Sequence, residues 1–103
     1  MFANVMFIQK THLEEQTMGN KEFLKLAVKT VKDYFNNRSE KFILTEDDIY
    51  VVWYCKTLQN HKALLSTNVS DGMYYELTFN GDKKELYLDA YKKWENKCIK
   101  IDS

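Results

Sequence analysis

From Ile49 to Tyr91 the chain is built of short blocks with a two-residue apolar period, each ending in residues that turn a backbone. The blocks are IYVVWYCKT (49–57), HKALLSTNV (61–69), MYYELTFN (73–80) and KELYLDAY (84–91), rich in the β-branched and aromatic residues that suit a pleated strand. Ser70-Asp71-Gly72 fits a three-residue hairpin loop with glycine in the left-handed position, and Asn80-Gly81 is a strong hairpin signal. Leu58-Gln59-Asn60 joins the first pair. The chain has no proline, so nothing interrupts a strand ladder. This pattern predicts a four-stranded antiparallel meander.

Face parity fixes an expected register. Three-residue loops place Trp53 opposite Leu65, Cys55 opposite Ala63, Val51 opposite Thr67 and Leu65 opposite Leu77. The fourth strand changes parity, so an even loop, NGDK, sets Leu77 against Leu86. The expected core face then holds Ile49, Val51, Trp53, Cys55, Ala63, Leu65, Val69, Met73, Tyr75, Leu77, Phe79, Leu86 and Leu88.

Upstream, the period becomes helical. Leu24, Ala27, Val28, Val31, Tyr34 and Phe35 form one stripe, with Lys25, Lys29, Lys32 and Asp33 largely opposite. Asn20 is the expected cap and Asn36-Asn37 the expected stop, giving a helix over 20–36 that covers the sheet. At the other end, Tyr91, Trp94, Cys98 and Ile101 recur at helical spacing, so the tail is read as a helix, with an extended segment as the alternative. The fold class is α+β: an N-terminal helix packed on a four-stranded antiparallel meander, with a C-terminal helix or extension.

Residues 1–17 stand apart as an N-terminal extension to a single domain over 18–103. Glu14-Glu15 suits a purine-rich ribosome-binding tract just before Met18, which makes Met18 a candidate start. The alternative is that Phe2, Val5, Met6, Phe7 and Ile8 form an element that packs. The first lysine, Lys10, follows the apolar stretch, which is the wrong order for a secretion signal. A cytoplasmic protein with two reduced thiols is expected, Cys55 buried in a strand and Cys98 near the tail. No apolar run reaches the ~18 residues of a membrane span.

The 15 basic and 15 acidic residues cancel, and Arg38 is the sole arginine, which argues against a nucleic-acid binder. His12 and His61 are the only histidines, and no nucleophile–base, P-loop or zinc motif occurs. Neither cofactor nor metal is expected; Glu46, Asp47 and Asp48 are read as a solvated turn. The second sheet face is more distinctive: Tyr50, Tyr54, Asn68, Tyr74, Glu76, Tyr87 and Asp89 fall on it, tyrosine-rich and acidic. Tyrosines combine contact area with low side-chain entropy, so this face is the candidate for protein contact. Nucleic-acid association is the alternative, a homodimer through the face an intermediate case, and an enzyme ranks third.

The pieces WYCKTLQN, STNVSDGMYYE and NGDKKELYLDAYKKWEN, preceded by NKEFLKLAVKTVKDYF, resemble a family of short proteins of unknown function encoded by phages and prophages of Gram-positive bacteria. The resemblance spans about residues 18–99. It implies a cytoplasmic, phage-derived accessory protein; the tyrosine-rich face makes an unidentified host or phage protein the expected partner. The resemblance supplies no catalytic or binding residues.

Overall fold

The computed structural model describes residues 18–102. The expectations for residues 1–17 lie outside the described residues. Helix α1 (Asn20–Arg38) is followed by a 3-10 turn (Glu46–Asp48) and four strands, β1 (Ile49–Thr57), β2 (Asn60–Thr67), β3 (Met73–Asn80) and β4 (Glu85–Lys92). The strands pair antiparallel in the order β1-β2-β3-β4, so the fold is α+β with the expected meander.

Helix α1 starts at Asn20 as expected, but its cap lies one residue earlier. Gly19 is the N-cap, and its N–H donates to Glu22 Oε1 at 2.8 Å, satisfying a donor that the helix leaves unpaired. Phe23, Ala27 and Val31, at four-residue steps, turn fully inward. They pack with Leu44, Ile49, Ala63, Leu65, Tyr75 and Leu77 into one core between helix and sheet. Phe23 lies at its centre although the sequence stripe omitted it. The connector is pinned by Asn36: its amide donates to the Leu44 carbonyl at 3.1 Å and its Oδ1 accepts from the Leu44 N–H at 2.8 Å. Both polar groups of a buried residue are thereby paired without a strand.

The registers differ from expectation in an informative way. Val51 pairs with Leu65 but Trp53 pairs with Leu64, so Val52 is an extra residue, a β-bulge. Beyond it, every side chain of β1 changes face. Tyr54 pairs with buried Ala63 and turns toward the helix, while Trp53 and Cys55 turn outward and are exposed. The expectation that Trp53 and Cys55 belong to the core is therefore corrected. The β1–β2 loop shortens to Leu58-Gln59, with Leu58 at φ +57°. The other hairpins each shift by two residues, which preserves parity: Ala63 meets Leu77, Leu65 meets Tyr75, and Leu77 meets Leu88. Gly72 is left-handed as expected, at φ +73°, but in a five-residue connection, 68–72.

Strand β4 continues through Lys92, which pairs with Met73, and residues 93–102 have no regular structure. The helical spacing of the tail is overridden because Tyr91 is held in the ladder opposite Tyr74. The C-terminal element is the extension, not the helix.

One polar cluster is buried beside Phe23. The His61 ring stacks on Phe23 at 4.9 Å between centroids and is 2% exposed. Its Nε2 lies 2.9 Å from the Met18 carbonyl, a pure acceptor, so Nε2 carries the proton. Burial pushes the His61 pKa down and keeps the ring neutral. Nδ1 then accepts from the Tyr54 hydroxyl at 2.7 Å, and the same hydroxyl lies 2.8 Å from Asn20 Oδ1, so one phenolic proton serves two acceptors.

Two outcomes follow. Phe23→Ala should cost about 3–5 kcal/mol in denaturant unfolding, whereas Trp53→Ala, at a site 41% exposed, should cost much less. Because His61 titrates lower in the fold than its usual 6.5, the unfolded chain binds more protons below that pH. The His61 contribution should be complete above its usual 6.5 and be lost as pH falls below that toward the lowered value in the fold. Urea midpoints across that window should show this slope in the natural chain and lose it in His61→Gln.

Candidate interaction face

The bulge and the registers assemble the outer sheet face row by row. In one row Tyr50 stands beside Ser66, and Tyr74 beside Tyr91. The next runs Trp53–Leu64–Glu76–Asp89, and the third Cys55–Lys62–Thr78–Tyr87. Tyr50, Trp53, Tyr87 and Tyr91 are all exposed, and Tyr74 is partly so. Helix α1 packs on the opposite face, and among the described residues no element covers this one.

Of the seven residues singled out from sequence, Tyr50, Tyr74, Glu76, Tyr87 and Asp89 are brought together here. Tyr54 is not: the bulge sends it to the helix side, where it bonds His61 and Asn20. Asn68 lies just past β2, tied to the 3-10 turn; its N–H donates to the Asp48 carbonyl at 3.0 Å and its amide to Asp48 Oδ1 at 3.2 Å. Trp53 and Tyr91 are members that the sequence reading placed elsewhere. The signal for Trp53 was faint, because residues 49–55 are apolar or aromatic throughout and carry no alternation to betray a parity change.

The electrostatics are unusual. Glu76 and Asp89 stand directly opposite one another on neighbouring strands. Like charges in that relation are destabilising. The repulsion is partly relieved on the Glu76 side: Lys62 Nζ lies 3.8 Å from its carboxylate, and the Tyr91 hydroxyl donates to it at 3.3 Å. The Glu76 charge in turn pushes the Tyr91 pKa up. At the rim, the Tyr87 hydroxyl donates to Glu85, and that bond raises the Tyr87 pKa. Asp89 receives no such bond from another described residue. The face thus combines accessible rings with uncompensated negative charge.

Other candidate chemistry disperses. His61 faces the core while Cys55 faces out, so the two form no nucleophile–base pair. Among the described residues no cluster of three or more metal-ligating side chains occurs. Asp48 spends its carboxylate on its own turn, accepting from the Thr45 N–H at 2.9 Å, and those bonds hold its pKa down. No described helix is long and apolar enough to cross a membrane.

Among the described residues, these features define an α+β domain with one sheet face under α1 and the other open, aromatic and acidic. The chain belongs to the family of unknown function DUF6275, whose model matches residues 24–101. No protein of curated function and no solved structure matches it.

Proposed function

We propose that the chain is a non-enzymatic protein-interaction module, a phage- or prophage-derived accessory protein acting in the host cytoplasm. It grips a host or phage protein with the outer sheet face. The observation that carries this reading is the Glu76–Asp89 pair amid exposed Tyr50, Trp53, Tyr87 and Tyr91. An isolated domain gains nothing from two opposed carboxylates on an open sheet. A partner presenting a Lys or Arg between aromatic contacts converts that repulsion into binding energy. Stacking rings also suit single-stranded nucleic acid, but carboxylates on the same face repel phosphate.

Asp89→Asn should raise stability by about 0.2–1 kcal/mol while weakening partner binding. Tyr50→Ser with Trp53→Ser should preserve the amide fingerprint and abolish partner recovery from a phage-infected host. Lys25→Ser on the helix should leave recovery intact. Recovery that vanishes with nuclease would replace this reading with the nucleic-acid one. Equal recovery by the face and helix variants would remove the face from the interaction.

A further inference from the structure

We propose that the C-terminal tail is an exchange arm that docks in an apolar groove of a second copy of this chain. The ladder holds the chain only as far as Lys93, whose N–H donates to the Gly72 carbonyl at 2.7 Å. From Trp94 to Asp102 no hydrogen bond or ion pair to another described residue is made. Yet this segment carries Trp94, 94% exposed, Ile99, 75% exposed, and Ile101, 82% exposed. Burying side chains of that size is worth roughly 1.5–3 kcal/mol each, so a tail of this composition calls for a cover.

A receptor of matching character lies at the point where the tail departs. Between the C-terminal end of α1 and the β2–β3 connection is a groove of about 580 Å³, lined by Tyr34, Phe35, Phe42, Val69, Met73 and Tyr75. Phe42 is 54% exposed within it, and the Arg38 guanidinium sits 5.2 Å over the Tyr34 ring. Asp71 and Met73, on its rim, flank Gly72, the residue that holds Lys93. The hinge of the arm is therefore at the mouth of the groove. An arm hinged there can reach its own groove by reversal or a partner's by extension, which is the geometry of domain swapping. In this chain the arm has no regular structure and its tryptophan, 94% exposed, is not among the residues lining the groove, which favours the partner. Both groove and arm carry both signs of charge: Arg38, Lys41, Glu40 and Asp71 on one, Lys93, Lys97, Lys100, Glu95 and Asp102 on the other.

Reciprocal exchange closes on two copies, which is why the occupant is a second copy and not an unrelated peptide. Two arms bring two tryptophans and four isoleucines together, on the order of 1,000 Å² of apolar surface, the lower bound for a specific interface. The contact uses neither Trp53 nor the Glu76–Asp89 pair, so it stands independently of the outer face.

The test is sedimentation equilibrium of the full chain at about 100 μM with two variants. One carries Trp94→Ser, Ile99→Ser and Ile101→Ser; the other carries Phe42→Ser, chosen because that ring is half exposed and outside the buried core. The natural chain should sediment as a dimer. Each variant should be monomeric, with association weakened at least about tenfold and the sheet amide fingerprint preserved. Mixing the two variants should restore part of the dimer, because one intact arm then meets one intact groove. A monomeric natural chain overturns the proposal, including the case where Trp94 fluorescence shows the arm folded into its own groove. A dimer that survives the arm substitutions, or that yields only to Tyr50→Ser with Trp53→Ser, overturns it in favour of contact through the outer face.

Discussion

The bulge at Val52 decides the character of both sheet faces. A regular β1 would carry Trp53 and Cys55 inward and leave Tyr54 outside. One inserted residue reverses that, and the consequences reach across the fold. Tyr54 enters beside Phe23 and His61 and reaches Asn20 in the first turn of α1. The helix start, the chain entering it at Met18 and the β1–β2 hairpin are thereby tied by one continuous set of hydrogen bonds. Trp53 is meanwhile delivered to the open face beside Leu64. Core polarity and surface aromaticity arise from the same local irregularity.

Among the described residues one helix covers one face of the sheet, and that imbalance shapes the rest. Nine side chains among the described residues form the buried apolar core, and they come from α1, Leu44 and the inward positions of β1, β2 and β3. β4 contributes only partly buried Leu86 and Leu88. Small residues on both layers, Ala27 on the helix and Ala63 on β2, are fully buried. The two hairpin ends on one side brace each other. The Gly81 N–H donates to Asn60 Oδ1 at 3.0 Å, and a Cβ on Gly81 would lie 2.2 Å from the Gln59 carbonyl oxygen, so only glycine fits there.

The meander, the helix and the buried set Ile49, Ala63, Leu65, Tyr75 and Leu77 were legible from periodicity and turn residues. They were legible because each element repeats its signal several times. The two-residue slips in the β2–β3 and β3–β4 registers were not, since a shift of two keeps every side chain on its face. The bulge was hidden for a different reason: IYVVWYC offers no polar residue whose facing could reveal a parity change. Phe23 was hidden by its place near the helix start, where its inward position depends on His61 and Tyr54 arriving from β1 and β2. The tail misled because helical spacing of Tyr91, Trp94, Cys98 and Ile101 stabilises a helix only when a surface receives the stripe.

Exposure on the two sides of this domain therefore has two different causes. On the outer face the exposed residues sit on paired strands, so their positions are fixed by ladder hydrogen bonds before any partner arrives. A preorganised array loses little side-chain entropy on contact, and its opposed carboxylates give it a charge requirement as well as a shape. In the tail the exposed residues sit on unpaired backbone, and docking must order that backbone at roughly 1–2 kcal/mol per residue. Such a segment becomes a useful interface when few residues are ordered per apolar group buried, and it gains further when two contacts share one association cost. The tail has three large apolar side chains in ten residues, and in a reciprocal exchange its two contacts share one loss of translational and rotational freedom. The rigid face suits recognition of a different protein, and the arm suits self-association.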